Sequence, residues 1–143
     1  MKYVLIILIL VFVQGCAQPI VDPTFAPYVS VYQDSIKIDV SGVGITFGDL
    51  SLPVIGICRP DNNTITIDST WFAKASEPYR EMLVFHELSH CLLHVGHDTT
   101  ILPDGCPESV MYPYIVQTPC YAKHRAEYIE QLKHVKEVEE QND

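Results

Sequence analysis

An α+β domain is the architecture to expect from this 143-residue chain. Three observations carry that expectation. Apolar–polar alternation, β-branched residues and turn signals crowd the first half. A long apolar face with helical spacing follows over residues 76–93, and a second helical pattern occupies residues 123–139. Strands first and helices later is the order of an α+β domain.

The chain opens with Lys2 and an apolar run over residues 3–13, ending at Gln14-Gly15-Cys16. A positive start, a short apolar core and a small residue before the cut are the parts of a secretory signal. The run is short for a bilayer span, which needs about 20 apolar residues. Val13-Gln14-Gly15-Cys16 resembles a bacterial lipobox, in which Cys16 becomes the lipidated first residue, although Gln14 is not the usual small residue. Ala17 follows Cys16, and the absence of Asp there implies the outer membrane, by resemblance to lipoproteins of Gram-negative bacteria. The expected organisation is a signal peptide over 1–15, a Pro-containing tether over 16–27 and one domain over 28–143.

Within the domain, residues 28–40 are ambiguous. Ile36-Lys37-Ile38-Asp39-Val40 alternates as a strand does, and the earlier part suits a helix. Gly44-Ile45-Thr46-Phe47-Gly48 reads as a strand. Pro53-Val54-Ile55-Gly56-Ile57-Cys58 and Thr64-Ile65-Thr66-Ile67-Asp68 flank the turn signal Pro60-Asp61-Asn62-Asn63, an expected hairpin. In the helix over 76–93, Pro78 suits the first turn, and Glu77 and Glu81 complement that end of the dipole. Met82-Leu83-Val84-Phe85, Leu88, Cys91 and Leu92 supply its apolar face. Loops rich in Pro and Gly run over 95–119, and the last helix leads into an acidic, solvated end.

Mid-helix lies His86-Glu87-Leu88-Ser89-His90, the pattern HExxH. Residues four apart share one helix face, so His86 and His90 can grip one small cation. Neutral imidazole is a good zinc ligand, and catalytic zinc takes three protein ligands and leaves a fourth position open. Glu87 beside them would be the general base. This is the chemistry of a metalloprotease. On a continuing helix His94 would stand roughly 12 Å along the axis from His86, too far to share the ion. Gly96 can turn the chain back, and His97 follows it at once, so His97 is the favoured third ligand and His94 the lesser candidate.

Nine Lys and Arg stand against 18 Asp and Glu, a formal net charge of −9. Such a surface does not suit nucleic acid, whose phosphates require a basic footprint. Beyond Cys16 remain Cys58, Cys91, Cys106 and Cys120. In an exported chain an even number invites pairing. Cys91 points about 100° away from the metal face, where it can staple helix to sheet. Cys58–Cys91 and Cys106–Cys120 are the favoured pairs, against buried free thiols.

HELSH, then Gly96-His97-Asp98, then Ser109-Val110-Met111-Tyr112-Pro113 resembles the metzincin clan of zinc endopeptidases, matrixins above all. The segment 55–60, the segment 64–68 and Trp71 resemble the edge strand, following strand and Trp that precede the helix there. The likeness spans residues 54–115. It implies a small catalytic domain with a twisted mixed sheet, an active-site helix, a Met-turn and a C-terminal helix. It implies one zinc ion on His86, His90 and His97, with Glu87 as general base. Met111 would form an apolar floor beneath the metal. Pro113 and Tyr114 would wall the pocket for the side chain after the cleaved bond. The edge strand Val54, Ile55, Gly56, Ile57 and Cys58 would pair with an extended protein or peptide substrate. A monomer tethered to the cell envelope by its lipid is the expected form.

The chain departs from that pattern in spacing. In metzincins the third His follows the second by six residues, with Gly midway, whereas His97 comes one residue later, Leu93 holds the Gly position and Gly96 lies late. No segment resembles the matrixins' inhibitory pro-region, and no residues match that family's structural calcium or second zinc. Two other readings stay open: a gluzincin-type site with Glu127 as third ligand, and a non-catalytic envelope lipoprotein with a structural metal. Glu87 speaks against the latter, because a structural site needs no general base. Tyr112, Tyr114 or Tyr121 could stabilise an oxyanion, with packing the commoner role. His124 and His134 are expected to face solvent.

Overall fold

The computed structural model describes residues 19–142. The signal peptide and Cys16 lie outside the described residues. Helix and sheet segregate as an α+β domain. The elements are α1 (Ala26–Ile36), β1 (Gly44–Gly48), β2 (Gly56–Arg59), β3 (Thr64–Asp68), α2 (Ser69–Lys74), α3 (Glu77–Leu92) and α4 (Thr118–Asn142). The sheet has the order β1-β3-β2, with β1 parallel and β2 antiparallel to β3. β2 is thus an outer strand, and the hairpin expected around residues 60–63 is present.

The expected tether is part of the fold from Ile20 onward. Ile20 accepts a hydrogen bond from Ile45 N–H at 2.8 Å, and Asp22 N–H donates to Ile45 O at 2.9 Å, a parallel bridge beside β1. Asp22 also caps the 3-10 turn Pro23–Phe25. Phe25 is fully buried, its ring 4.5 Å from Phe47 and 5.2 Å from Phe72. Burial of such a side chain contributes about 1.5–3 kcal/mol, which the Pro content of this stretch did not reveal.

No strand forms over residues 36–40. Tyr32 and Ile36, one turn apart, bury one face of α1, and the helix stops at Lys37, which adopts φ 61°. Val40 still reaches the core, through a turn in which Asp39 accepts from Ser41 N–H. Alternation therefore marked burial correctly and element type wrongly. β2 begins at Gly56, after a turn closed by Val54 N–H on Ser51 O. α4 begins five residues earlier than the expected 123, because Pro119 fits a helix first turn as well as a loop.

α3 is the central beam. Its buried face carries Met82, Leu83, Val84, Phe85, Leu88 and Cys91. Tyr32 pairs its hydroxyl with Ser89 Oγ at 3.1 Å across the α1 contact. α4 docks through Glu81, which accepts from Tyr121 Oη at 2.7 Å and Arg125 Nε at 2.6 Å. Two disulfides close the domain: Cys58–Cys91 ties β2 to α3, and Cys106–Cys120 ties the long loop to α4. Both are the favoured pairs. Among the described residues no helix is long and apolar enough to cross a membrane.

Candidate metal centre

His86 and His90 leave α3 on one face, as their spacing requires, and their Nε2 atoms stand 3.0 Å apart. The helix then ends. Leu93 N–H closes the last turn on Ser89 O, and His94 takes the left-handed conformation at φ 50°. The reversal was expected at Gly96, which keeps an ordinary negative φ. The reversal at His94 brings His97 back, its Nε2 3.2 Å from that of His90 and 3.3 Å from that of His86.

Two backbone carbonyls orient the first two rings. His86 Nδ1 lies 2.9 Å from Val110 O, and His90 Nδ1 lies 2.6 Å from Val95 O. A carbonyl only accepts, so each Nδ1 carries the proton and each Nε2 turns a lone pair toward the others. The segment around Met111 supplies the first carbonyl. It also holds the third ligand's neighbour, because Asp98 N–H donates to Met111 O at 3.0 Å. Met111 itself is buried in the core.

The lone pairs on His86 and His90 Nε2, 3.0 Å apart, repel unless a cation lies between them. Four ligands placed tetrahedrally about 2.0–2.1 Å from zinc stand about 3.3 Å from one another. The three nitrogens already have nearly that spacing, so the cluster fits a metal ion. Burial lowers His86 to about 4, helped by repulsion from His90 and His97 and opposed by the Val110 carbonyl. Burial lowers His90 as well. Both rings are therefore neutral at pH 7, the form that binds metal.

Glu87 is nearly buried, at 5% exposure. Loss of solvent pushes its carboxyl up to about 7, against the opposing hydrogen bond of the Cys58 backbone amide. A group poised near neutrality suits proton transfer in either direction.

The cluster opens into a cleft of about 350 Å3. Its walls include Val54, Ile55, Gly56 and Ile57 of the β2 region, Pro113, Tyr114 and Ile115 of the long loop, and Leu83 and Val110. Apart from the three histidines, Glu87, Tyr112 and Tyr114, the lining side chains are apolar. Ile55 O accepts from Asp68 N–H, so in the antiparallel register residues 55, 57 and 59 bond to β3. The amides and carbonyls of Gly56 and Cys58 point to the other edge.

Other expected residues fall elsewhere. Glu127 is exposed on α4 and does not join the histidine cluster. Tyr121 is buried and its hydroxyl is engaged by Glu81, whereas Tyr112 and Tyr114 line the cleft. His134 is exposed as expected. His124 instead bonds Asp104 at 2.8 Å, and Lys123 joins at 2.6 Å. Lys123 first, then the Cys106 amide and His124, hold the Asp104 carboxyl well below the usual range. Asp104, Cys106 and His124 also converge, but the Cys106 sulfur is bonded to Cys120, which leaves an ion pair and not a metal site.

A scan of protein-family models, a search of curated proteins and a search of solved structures each found no match.

Proposed function

We propose that this protein is a zinc-dependent endopeptidase that hydrolyses peptide bonds in extended protein or peptide substrates. The observation that carries the reading is the convergence of three Nε2 atoms at 3.0–3.3 Å beside a carboxyl held in the same cleft. His86, His90 and His97 would hold the ion. When bound, zinc supplies Lewis acidity, polarising a carbonyl and making water acidic near pH 7. Glu87 takes the proton from the attacking water and returns it to the leaving amine. The outward edge of β2 pairs with the peptide backbone, so affinity comes from main-chain hydrogen bonds. Leu83, Val110 and Ile115 line the cleft and would give a neighbouring side chain an apolar contact.

The metzincin reading belongs with this proposal. It is supported by the burial of Met111 next to Val110, whose carbonyl bonds His86, and by the β2 residues that line the cleft. The proposed setting is the bacterial envelope, with lipidated Cys16 as anchor. A structural metal site would have no use for a poised carboxyl opening on a peptide-sized cleft. The test is cleavage of a mixed peptide library by wild type and Glu87→Ala at matched zinc content. The reading requires a loss of at least about a hundredfold in kcat/KM; equal rates, or no cleavage by zinc-loaded wild type, would refute it.

A further inference from the structure

β2 and α3 meet at two matched rungs. Glu87 and Cys91 lie four residues apart on α3, about 6 Å along its axis. Gly56 and Cys58 lie two residues apart on one face of β2, about 6.6 Å along the strand. One rung is covalent, the Cys58–Cys91 disulfide. The other is a contact: a methyl group on Gly56 would collide with Glu87 Oε1 and stand 2.9 Å from its Cγ and Cδ. The Cys58 amide, on the outward edge, adds a hydrogen bond to the same carboxyl. Among the described glycines only Gly105 has a positive φ, so it is the space taken by Glu87, not backbone conformation, that demands glycine at 56.

We infer that the β2 edge is a positioning device for Glu87, with Gly56 and the Cys58 amide holding the carboxyl and the Cys58–Cys91 disulfide fixing the strand's register on the helix. The inference takes the role of Glu87 from the endopeptidase reading. His86 and His90 are held independently, by the carbonyls of Val110 and Val95. A side chain at position 56 therefore displaces the carboxyl and leaves the imidazoles in place. Because the same strand offers its edge to the peptide, base and docking groups move as one unit.

The test uses the zinc-loaded full chain with Gly56→Ala, Glu87→Asp and the two combined. Zinc content stays at the wild-type level in all three. On a peptide substrate, Gly56→Ala lowers kcat by about tenfold or more and changes KM by less than about twofold. Glu87→Asp retracts the carboxyl by one methylene, so it costs less in the Gly56→Ala background than alone. Hydrogen exchange at the Cys58 amide reports the clamp without turnover: Glu87→Ala and Gly56→Ala each accelerate it by about tenfold. Unchanged Cys58 exchange in Glu87→Ala overturns the clamp, and additive kinetics of the two substitutions overturn its role in turnover. Zinc-loaded wild type that cuts nothing defeats the endopeptidase reading instead, and the exchange measurement still decides the clamp.

Discussion

His94 and His97 are three residues apart and have opposite parts. His94 adopts φ 50°, a conformation that costs a side-chain-bearing residue roughly 1–2 kcal/mol. Its strain turns the chain so that His97 completes the cluster. His94→Gly is expected to keep zinc affinity and raise stability to urea by about 1 kcal/mol. His97→Ala is expected to weaken zinc binding by at least about a hundredfold against a competing chelator; the reverse ranking would make His94 the ligand. Glu87 carries a pH signature. Its carboxyl, at about 7 in the fold against an ordinary 4.5, holds a proton that the unfolded chain has released between those values. The Glu87 contribution to metal-free stability therefore falls as the pH rises from 4.5 toward 7 and levels off above, while the depressed His86 contributes in the opposite sense between about 4 and 6.5. Glu87→Gln lacks this loss, so its advantage over wild type in urea should grow to roughly 3 kcal/mol by pH 8 and vanish at pH 4. His86, Glu87 and His90 could be read from helix periodicity alone. Gly56 could be placed on the edge strand, but its contact with Glu87 joins residues 31 apart, and the carbonyls of Val95 and Val110 have no sequence signature.

α3, the β2–β3 hairpin and β1 were legible as elements because each combines a clear period with Pro, Gly or Asn at its end. Residues 36–40 and 118–119 were misread for one reason: short apolar or Pro-bearing runs satisfy two elements, and only packing chooses between them. Tyr32 against Ser89 and Phe85 made the choice for α1. Cys106–Cys120 acts on the long loop in a way that sequence spacing does predict. Its partners are 14 residues apart, and closing a loop of that size contributes about 3 kcal/mol. Replacing both cysteines by serine should cost about that much in urea unfolding and leave zinc affinity within about twofold. A large loss of zinc binding would mean that this disulfide also holds Val110 and Met111 in place.

The whole molecule has its N-terminal stub beside β1 and its cleft beside β2, at opposite edges of one sheet. That order was not legible, since alternation reports which residues are buried and not which strands are neighbours. Only four peptide steps take the chain from Cys16 to Ile20, where docking begins. At most about 3.5 Å per residue, they reach about 14 Å. On the lipoprotein reading the domain thus rides against the bilayer. A donor dye on exposed residue 20 should lie within about 20 Å of an acceptor in the headgroup layer of vesicles carrying the lipidated protein; a separation of about 50 Å or more would contradict membrane anchoring at Cys16. The central claim concerns one ion and three imidazoles. X-ray absorption at the zinc edge of the loaded protein measures that sphere directly. The account requires three nitrogen ligands at about 2.0 Å and one further light atom. A sulfur ligand, or fewer than three histidine nitrogens, would contradict it.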